Sequence, residues 1–149
     1  MTIDVQKLVN NKDRIISFLK INGPSLPVRI AKAINNSPLF TSAFLSELYG
    51  EKKVKMSDLK VGSSPLYYLS GQERHLEKFA DYLNQREKEA FLMLKKDLLL
   101  EDEALSPVMR VAIRSLKDFA VPVRIRVNEE LKLFWKHFLI EDLKIKEIL

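Results

Sequence analysis

Two short helices followed by a two-stranded ribbon are predicted within residues 25–69, which read SLPVRIAKAINNSPLFTSAFLSELYGEKKVKMSDLKVGSSPLYYL. Ser37 is a suitable N-cap, and Pro38 suits the first helical position because that position needs no backbone N–H. Gly50 follows the last apolar pair of the second helix, where a helix usually ends. We therefore expect a helix, a tight turn, a second helix over 38–49 and then a hairpin.

The composition of the 149 residues is that of a folded globular protein, with 46% hydrophobic and 30% charged residues. No apolar run is long enough to cross a bilayer, and the first residues lack the basic-then-apolar order of a secretory signal. The absence of cysteine excludes disulfides and thiolate metal sites. We therefore expect a cytoplasmic protein that has no membrane partner and no cofactor.

The formal net charge of +5 permits a polyanionic partner. Basic residues are in excess in residues 1–72 and 104–149, whereas acidic residues are in excess in residues 73–103. Two basic segments thus flank an acidic one. Ordinary surface charge is the alternative interpretation.

The second helix predicts one apolar face and one small polar face. The apolar face, expected in the core, consists of Phe40, Ala43, Phe44, Leu45 and Leu48, which leaves Thr41, Ser42 and Ser46 for solvent. Ser42 and Ser46 are four residues apart and share a face, where a recognition helix presents its side chains to the major groove. Small hydroxyls can bond phosphates or base edges with little specificity. An exposed face with nothing bound is the alternative.

Cations surround the first predicted hairpin. Candidate phosphate contacts are Lys52, Lys53, Lys55 and Lys60 on or beside the hairpin, and Arg29 and Lys32 on the helix before the turn. A lysine cluster is often only a solvated surface. Its position just after a candidate recognition helix favours phosphate contact.

A long helix is predicted over residues 71–95. The sequence from Ser70 to Glu73 fits a capping box, and apolar residues from Leu76 to Leu94 recur at heptad-like spacing. One apolar seam over about three heptads favours a spine that joins two units, and dimerisation remains open.

The remaining residues predict a second copy of the first plan. Ser106 and Pro107 repeat the helix start seen at Ser37, and residues 121–127 and 131–136 alternate like strands around a turn at residues 128–130. The alternation is expected to place four cations on one side of this ribbon, namely Arg124, Arg126, Lys132 and Lys136. The preceding helix adds one basic face with Arg110, Arg114 and Lys117. In the alternative, acidic residues at 101–103 and 129–130 neutralise these cations within the protein.

Catalytic and metal-ligand patterns are not found in the sequence. His75 and His137 lie in no metal-ligand spacing and beside no plausible nucleophile. The four glycines form no phosphate loop. We therefore expect neither a catalytic site nor a metal site.

Residues 12–69 resemble a winged helix-turn-helix domain of the kind found in archaeal and bacterial DNA-binding proteins, including small uncharacterised archaeal ones. The resemblance is carried by the helix over 27–34, the turn from Asn35 to Pro38, the pattern of residues 43–48 and the hairpin over 53–69. It implies a DNA-binding fold without a defined target. One departure is that residues 38–49 are short of Arg, Gln and Asn, the usual base readers.

Together these patterns predict a mainly α, α+β fold with tandem winged helix-turn-helix units. Residues 1–70 are expected to form the first unit, and residues 71–149 the joining helix and the second unit. The function hypothesis is a non-enzymatic protein that binds double-stranded DNA, as a transcription regulator or in chromatin or replication. A protein-interaction adaptor is the alternative, with RNA binding and a homodimer also open.

Overall fold

The computed structural model describes the backbone of residues 5–149 and the side chains of residues 10–149. The chain divides into two units, one that ends at Lys78 and one that spans Phe79–Leu149. Helices and small antiparallel sheets alternate, so the predicted α+β class is confirmed. That residues 1–70 and 71–149 are separate folding domains stays a prediction.

The first unit contains three helices and a ribbon. They are α1 (Val5–Asn22), α2 (Pro27–Ala33), α3 (Pro38–Gly50), β1 (Lys55–Val61) and β2 (Ser64–Tyr68), with β1 antiparallel to β2. This order of helix, turn, helix and ribbon is that of a winged helix-turn-helix. Between α1 and α2, Ser25 pairs with Tyr67 of β2 through two backbone hydrogen bonds of 2.9 Å.

The core of the first unit lies among its helices. Its buried residues are Ile15 and Leu19 of α1, Ile30 and Ile34 at α2, and Phe44, Leu45 and Leu48 of α3, with Val54. Lys12 adds a polar link from α1 to α3, because its Nζ lies 2.8 Å from Glu47 and 2.7 Å from Glu51. These hydrogen bonds raise the pKa of Lys12 and lower that of Glu51.

The buried face of α3 differs from the predicted one by part of a turn. Thr41, predicted to face solvent, is fully buried, whereas Phe40 and Ala43, predicted in the core, are exposed. Thr41, Phe44, Leu45 and Leu48 follow the spacing i, i+3, i+4 and i+7 of one helix face. Phe40 lies about 90° from the centre of that face, so its size did not decide its burial.

The predicted helix over residues 71–95 is wrong as one continuous element. Glu73–Tyr82 form a 3₁₀ helix, and α4 begins only at Gln85 and ends at Asp97. Asn84 interrupts the run because its extended backbone and side chain cap a new helix, accepting a hydrogen bond of 2.9 Å from the Glu87 backbone.

The second unit continues from α4 with a three-stranded sheet, two further α-helices and two 3₁₀ turns. Its elements are β3 (Leu99–Glu101), a 3₁₀ turn (Asp102–Ala104), α5 (Pro107–Ser115), β4 (Ala120–Val127), β5 (Glu130–His137), a 3₁₀ turn (Asp142–Lys144) and α6 (Ile145–Ile148). β5 lies between β3 and β4, and all pairings are antiparallel. Phe91 of α4 packs on Phe119, with ring centroids 4.9 Å apart. The second ribbon, β4 and β5, is where strands were predicted.

The turn of the second ribbon has two residues, Asn128 and Glu129, with φ of 50° and 71°. Positive φ at both central positions is characteristic of the tight turn that matches strand twist, and Asn tolerates it well. The predicted turn had three residues, so β5 begins one residue earlier than expected, at Glu130.

The two serine-proline helix starts behave as the sequence predicts. The Ser37 hydroxyl accepts a hydrogen bond of 3.1 Å from the Phe40 backbone, and Ser106 accepts one of 3.3 Å from Met109. In each case proline occupies the first turn.

We expect Ser37→Ala to lower the free energy of unfolding by about 1 kcal/mol, because the Phe40 N–H loses its partner. Ser42→Ala is the matched control on an exposed position of the same helix and should leave stability unchanged or slightly higher. Urea denaturation followed by circular dichroism measures both, and equal stability of the two variants would contradict the capping role.

Candidate nucleic-acid interface

The cations of the second ribbon lie on two faces, so the predicted single basic side is wrong. Arg124 pairs across the ribbon with Leu133 and Arg126 with Leu131, and paired residues share a face. Lys132 pairs with Ile125 on the opposite face. Lys136 pairs with Val121 there. A three-residue turn would have set Arg126 opposite Lys132, but the two-residue turn shifts the register by one and reverses the faces.

The face that holds Arg124 and Arg126 continues beyond the three-stranded part of the sheet. β3 pairs only with residues 134–136 of β5, so the ribbon from Arg124 to its tip is two-stranded. Both arginines are exposed. Within the described part of the chain neither has a carboxylate at ion-pair distance, and Arg126 donates a 3.3 Å hydrogen bond to the Glu129 carbonyl.

The two lysines of the opposite face have acidic partners. Lys132 Nζ lies 3.1 Å from Glu101 and Lys136 Nζ lies 2.6 Å from Asp142. Hydrogen bonding to Glu101 raises the pKa of Lys132. Neutralisation by the 101–103 acidic run, the alternative that the sequence left open, therefore applies to Lys132, whereas Lys136 is paired with Asp142.

The basic residues on and just after α5 also include both paired and unpaired cations. Arg110 Nη2 lies 2.7 Å from Asp102 Oδ2, and Arg114 Nη1 lies 3.0 Å from Asp102 Oδ1. Asp102 Oδ1 also accepts a 2.9 Å hydrogen bond from Trp135 Nε1. Lys117, just after α5, is exposed and has no ion pair among the described residues.

Asp102 is a buried anion, with 3% of its surface exposed. Burial alone would raise its pKa, but hydrogen bonds from Trp135, Arg114 and Arg110 outweigh burial and lower the pKa to about 2. Asp102 is therefore ionised at neutral pH. Sequence analysis placed Asp102 only in an acidic run and missed its pairing with Trp135, for which spacing gives no signal.

The six cations of the first unit that were predicted to contact phosphate are all exposed. Lys53 lies 3.2 Å from Glu51 and Lys55 lies 2.9 Å from Glu73, in exposed pairs that are individually weak. Of these predicted contact residues, the ones without an ion pair in the described structure are Arg29, Lys32, Lys52 and Lys60.

The exposed face of α3 carries no cation. Ser42 and Ser46 are exposed, as expected, but so are Leu39 and Phe40, at 78% and 60% of their surface. On α5 the exposed positions include Val108 and Val111. Next to Val108, a groove of about 570 Å³ between α4 and α5 is lined mainly by Leu92, Met93 and Met109.

Two other site types have no candidates in the part of the chain that the structure describes. No three His, Asp or Glu side chains there are grouped closely enough to hold a metal ion. None of the helices in residues 5–149 is both long and apolar enough to span a bilayer.

No protein-family model matches the chain, and no curated protein does. Among solved structures the chain is similar to ZitR of Lactococcus lactis, described as a zinc-responsive MarR family member, with 15% identity and a TM-score of 0.38. That similarity covers 64% of this chain and 74% of the ZitR chain.

We expect the stabilisation by Asp102 to disappear at acid pH. Its folded-state pKa lies below the ordinary value of 3.8, so the stabilisation is complete above about pH 4 and is lost as the pH falls towards 2. The shift corresponds to about 2 kcal/mol, of which roughly half is lost by pH 3.

Urea denaturation of the wild type and Asp102→Asn at pH 5 and pH 3 measures this loss. Because the variant lacks this titrating group, the difference in free energy of unfolding between the two proteins should shrink at pH 3. A constant difference would show that Asp102 is not ionised and paired in the fold.

Proposed function

We propose that this chain is a non-enzymatic protein that binds double-stranded DNA through two winged helix-turn-helix units. The observation that carries the proposal is the exposed arginine face of the second ribbon. Arg124 and Arg126 are two positions apart on one strand, on one face, and without a carboxylate at ion-pair distance in the described residues. Like charges held side by side cost stability unless an anion faces them.

The shared order of elements supports the tandem assignment. In each unit a short extended segment follows the first helix and bonds to the last strand. Ser25 follows α1 and bonds to Tyr67 of β2, and β3 follows α4 and bonds to β5. In each unit a serine-proline start opens the helix before the ribbon. A short 3₁₀ turn over 102–104 stands where the first unit has α2.

A phosphate backbone fits the distribution of the unpaired cations. Among the predicted contact residues, those without an ion pair in the described structure are Lys117, Arg124 and Arg126 in the second unit and Arg29, Lys32, Lys52 and Lys60 in the first. Phosphate contacts release counterions and supply sequence-independent affinity. Paired surface lysines, such as Lys53 and Lys55, can join them because an exposed ion pair contributes at most about 1 kcal/mol.

The first unit is poor in side chains that read bases. α3 contains no Arg, Lys, Asn or Gln, and its exposed polar residues Ser42 and Ser46 bond bases without strong selectivity. We infer that phosphate contacts dominate, in a transcription regulator or in a chromatin- or replication-associated protein.

A protein-interaction adaptor is the second candidate function, favoured by the exposed apolar side chains of α3 and α5. Leu39, Phe40, Val108 and Val111 occupy the helix faces that would otherwise enter a major groove. Exposed apolar clusters on a folded domain are typical of protein contacts. Absence of any duplex binding at about 50 mM salt, where non-specific binding is expected, would exclude the DNA function and leave the adaptor.

We expect the double variant Arg124→Ala/Arg126→Ala to bind duplex DNA more weakly and with less salt dependence. Each lost phosphate contact lowers the slope of log K against log salt by about 0.9, so both together lower it by about 1.8. Mobility shifts across a salt series measure the slope, with single-stranded RNA as competitor to distinguish an RNA-binding role.

The matched control is Lys132→Ala/Lys136→Ala, which removes the same charge from the opposite, internally paired face. Its slope should change less than that of the arginine variant. Equal slopes for the two double variants would mean that net charge, and not the arginine face, determines binding.

A further inference from the structure

We propose that Asp102 and Trp135 are positioning residues that hold the Arg110 and Arg114 guanidinium groups together as one clasp for a DNA backbone phosphate, an inference that rests on the proposed function. Asp102 lies in the turn after β3, Trp135 in β5 and both arginines on α5. The clasp is defined as these four side chains.

Asp102 uses both of its oxygens within the clasp. Oδ2 accepts hydrogen bonds from Arg110 Nε at 3.1 Å and Nη2 at 2.7 Å. Oδ1 is 3.0 Å from Arg114 Nη1 and accepts the bond from Trp135 Nε1 at 2.9 Å. Two guanidinium groups with rotatable side chains are thereby tied to one buried anion.

Trp135 fixes the second arginine from another direction. The guanidinium carbon of Arg114 lies 5.4 Å from the Trp135 ring centroid, within the range of a cation–π contact. Arg114 Nη1 also donates a 3.0 Å hydrogen bond to the Arg110 carbonyl, one helical turn earlier. The orientation of Arg114 is therefore set by an anion, a ring and a carbonyl.

The clasp keeps donors and charge for a further anion. Each guanidinium has five N–H groups, and in the described structure Arg110 Nη1 and Arg114 Nε and Nη2 have no protein acceptor. The arginine side chains are 44% and 43% exposed. Two cations around one carboxylate leave a net charge of +1. Guanidinium forks match phosphate geometry, and a phosphate backbone is the ligand of the proposed function.

A simpler possibility is that Asp102 only neutralises the arginines, and the two possibilities predict opposite effects. Asp102→Asn removes one negative charge, so electrostatics alone predicts tighter DNA binding. Loss of the anchor instead releases two phosphate-binding groups. We expect Asp102→Asn to bind duplex DNA roughly tenfold more weakly than wild type at about 0.1 M salt, the effect of about one phosphate contact.

Glu103→Gln is the charge-matched control, because Glu103 is the exposed neighbour of Asp102. We expect it to bind DNA as tightly as wild type or more tightly. Mobility shifts of the two variants and the wild type, with circular dichroism at the same temperature to verify folding, give the comparison. Equal or tighter binding by Asp102→Asn would overturn the clasp.

Arg114→Lys tests the clasp without any change of charge and covers the case in which Asp102→Asn does not fold. Lysine keeps the cation but loses the fork and the fixed orientation over Trp135. Arg86→Lys on α4 is the matched control, since Arg86 is exposed and its one ion pair among the described residues is with Glu89. We expect weaker DNA binding for Arg114→Lys alone, and equal binding by both variants would overturn the clasp.

Trp135 is the single tryptophan, so its fluorescence reports on the clasp directly. A phosphate on Arg114 changes the charge environment of the indole, and we expect duplex DNA to change the emission of the wild type but not of Arg114→Lys. DNA binding without these effects would overturn the clasp and leave the proposed function intact. No DNA binding by the wild type would overturn both.

Discussion

The buried carboxylate of Asp102 is the interaction on which the second unit depends. Removing an ionised carboxylate from water costs several kcal/mol, and only a full set of charged and neutral donors offsets that cost. Here the donors come from α5 and β5, while Asp102 itself follows β3. Three elements therefore meet at one anion. α5 is therefore held by a polar contact in addition to the burial of Ala112 and Ile113 on its apolar side.

The register of the second ribbon is the next constraint, and the length of its turn sets that register. With Asn128 and Glu129 as the whole turn, Val127 pairs with Glu130, and every residue of β5 is assigned to a face. One more residue in the turn would place the lysines and the arginines on the same face of the ribbon. The actual register instead brings Trp135 to the arginine face, where it reaches Asp102 and Arg114. The same shift thus separates the arginines of the ribbon from its lysines and brings Trp135 into the clasp.

Sequence reasoning succeeded where the physical signal is local. Ser37 and Ser106 with their prolines mark helix starts because capping involves residues three apart, and the alternating residues of 121–127 mark a strand. The break at Asn84 competes with a strong apolar periodicity, so the pattern alone favours one helix. Thr41 and Phe40 exchange roles because helix rotation is set by neighbouring helices. The Asp102 contacts join residues up to 33 positions apart, and no spacing rule reaches that far.

The net charge of +5 belongs to the whole chain, and the basic and acidic residues of the second unit are equal in number. Lys132 and Lys136 are half-buried and form ion pairs with Glu101 and Asp142. Asp102 neutralises part of the charge of Arg110 and Arg114. What remains is concentrated on the arginine face of the ribbon and at the outer side of α5. A small number of phosphate contacts implies a shallow salt dependence. On the proposed function, the placement of a few guanidinium groups therefore matters more than the total of basic residues, because each contact carries a large share of the affinity.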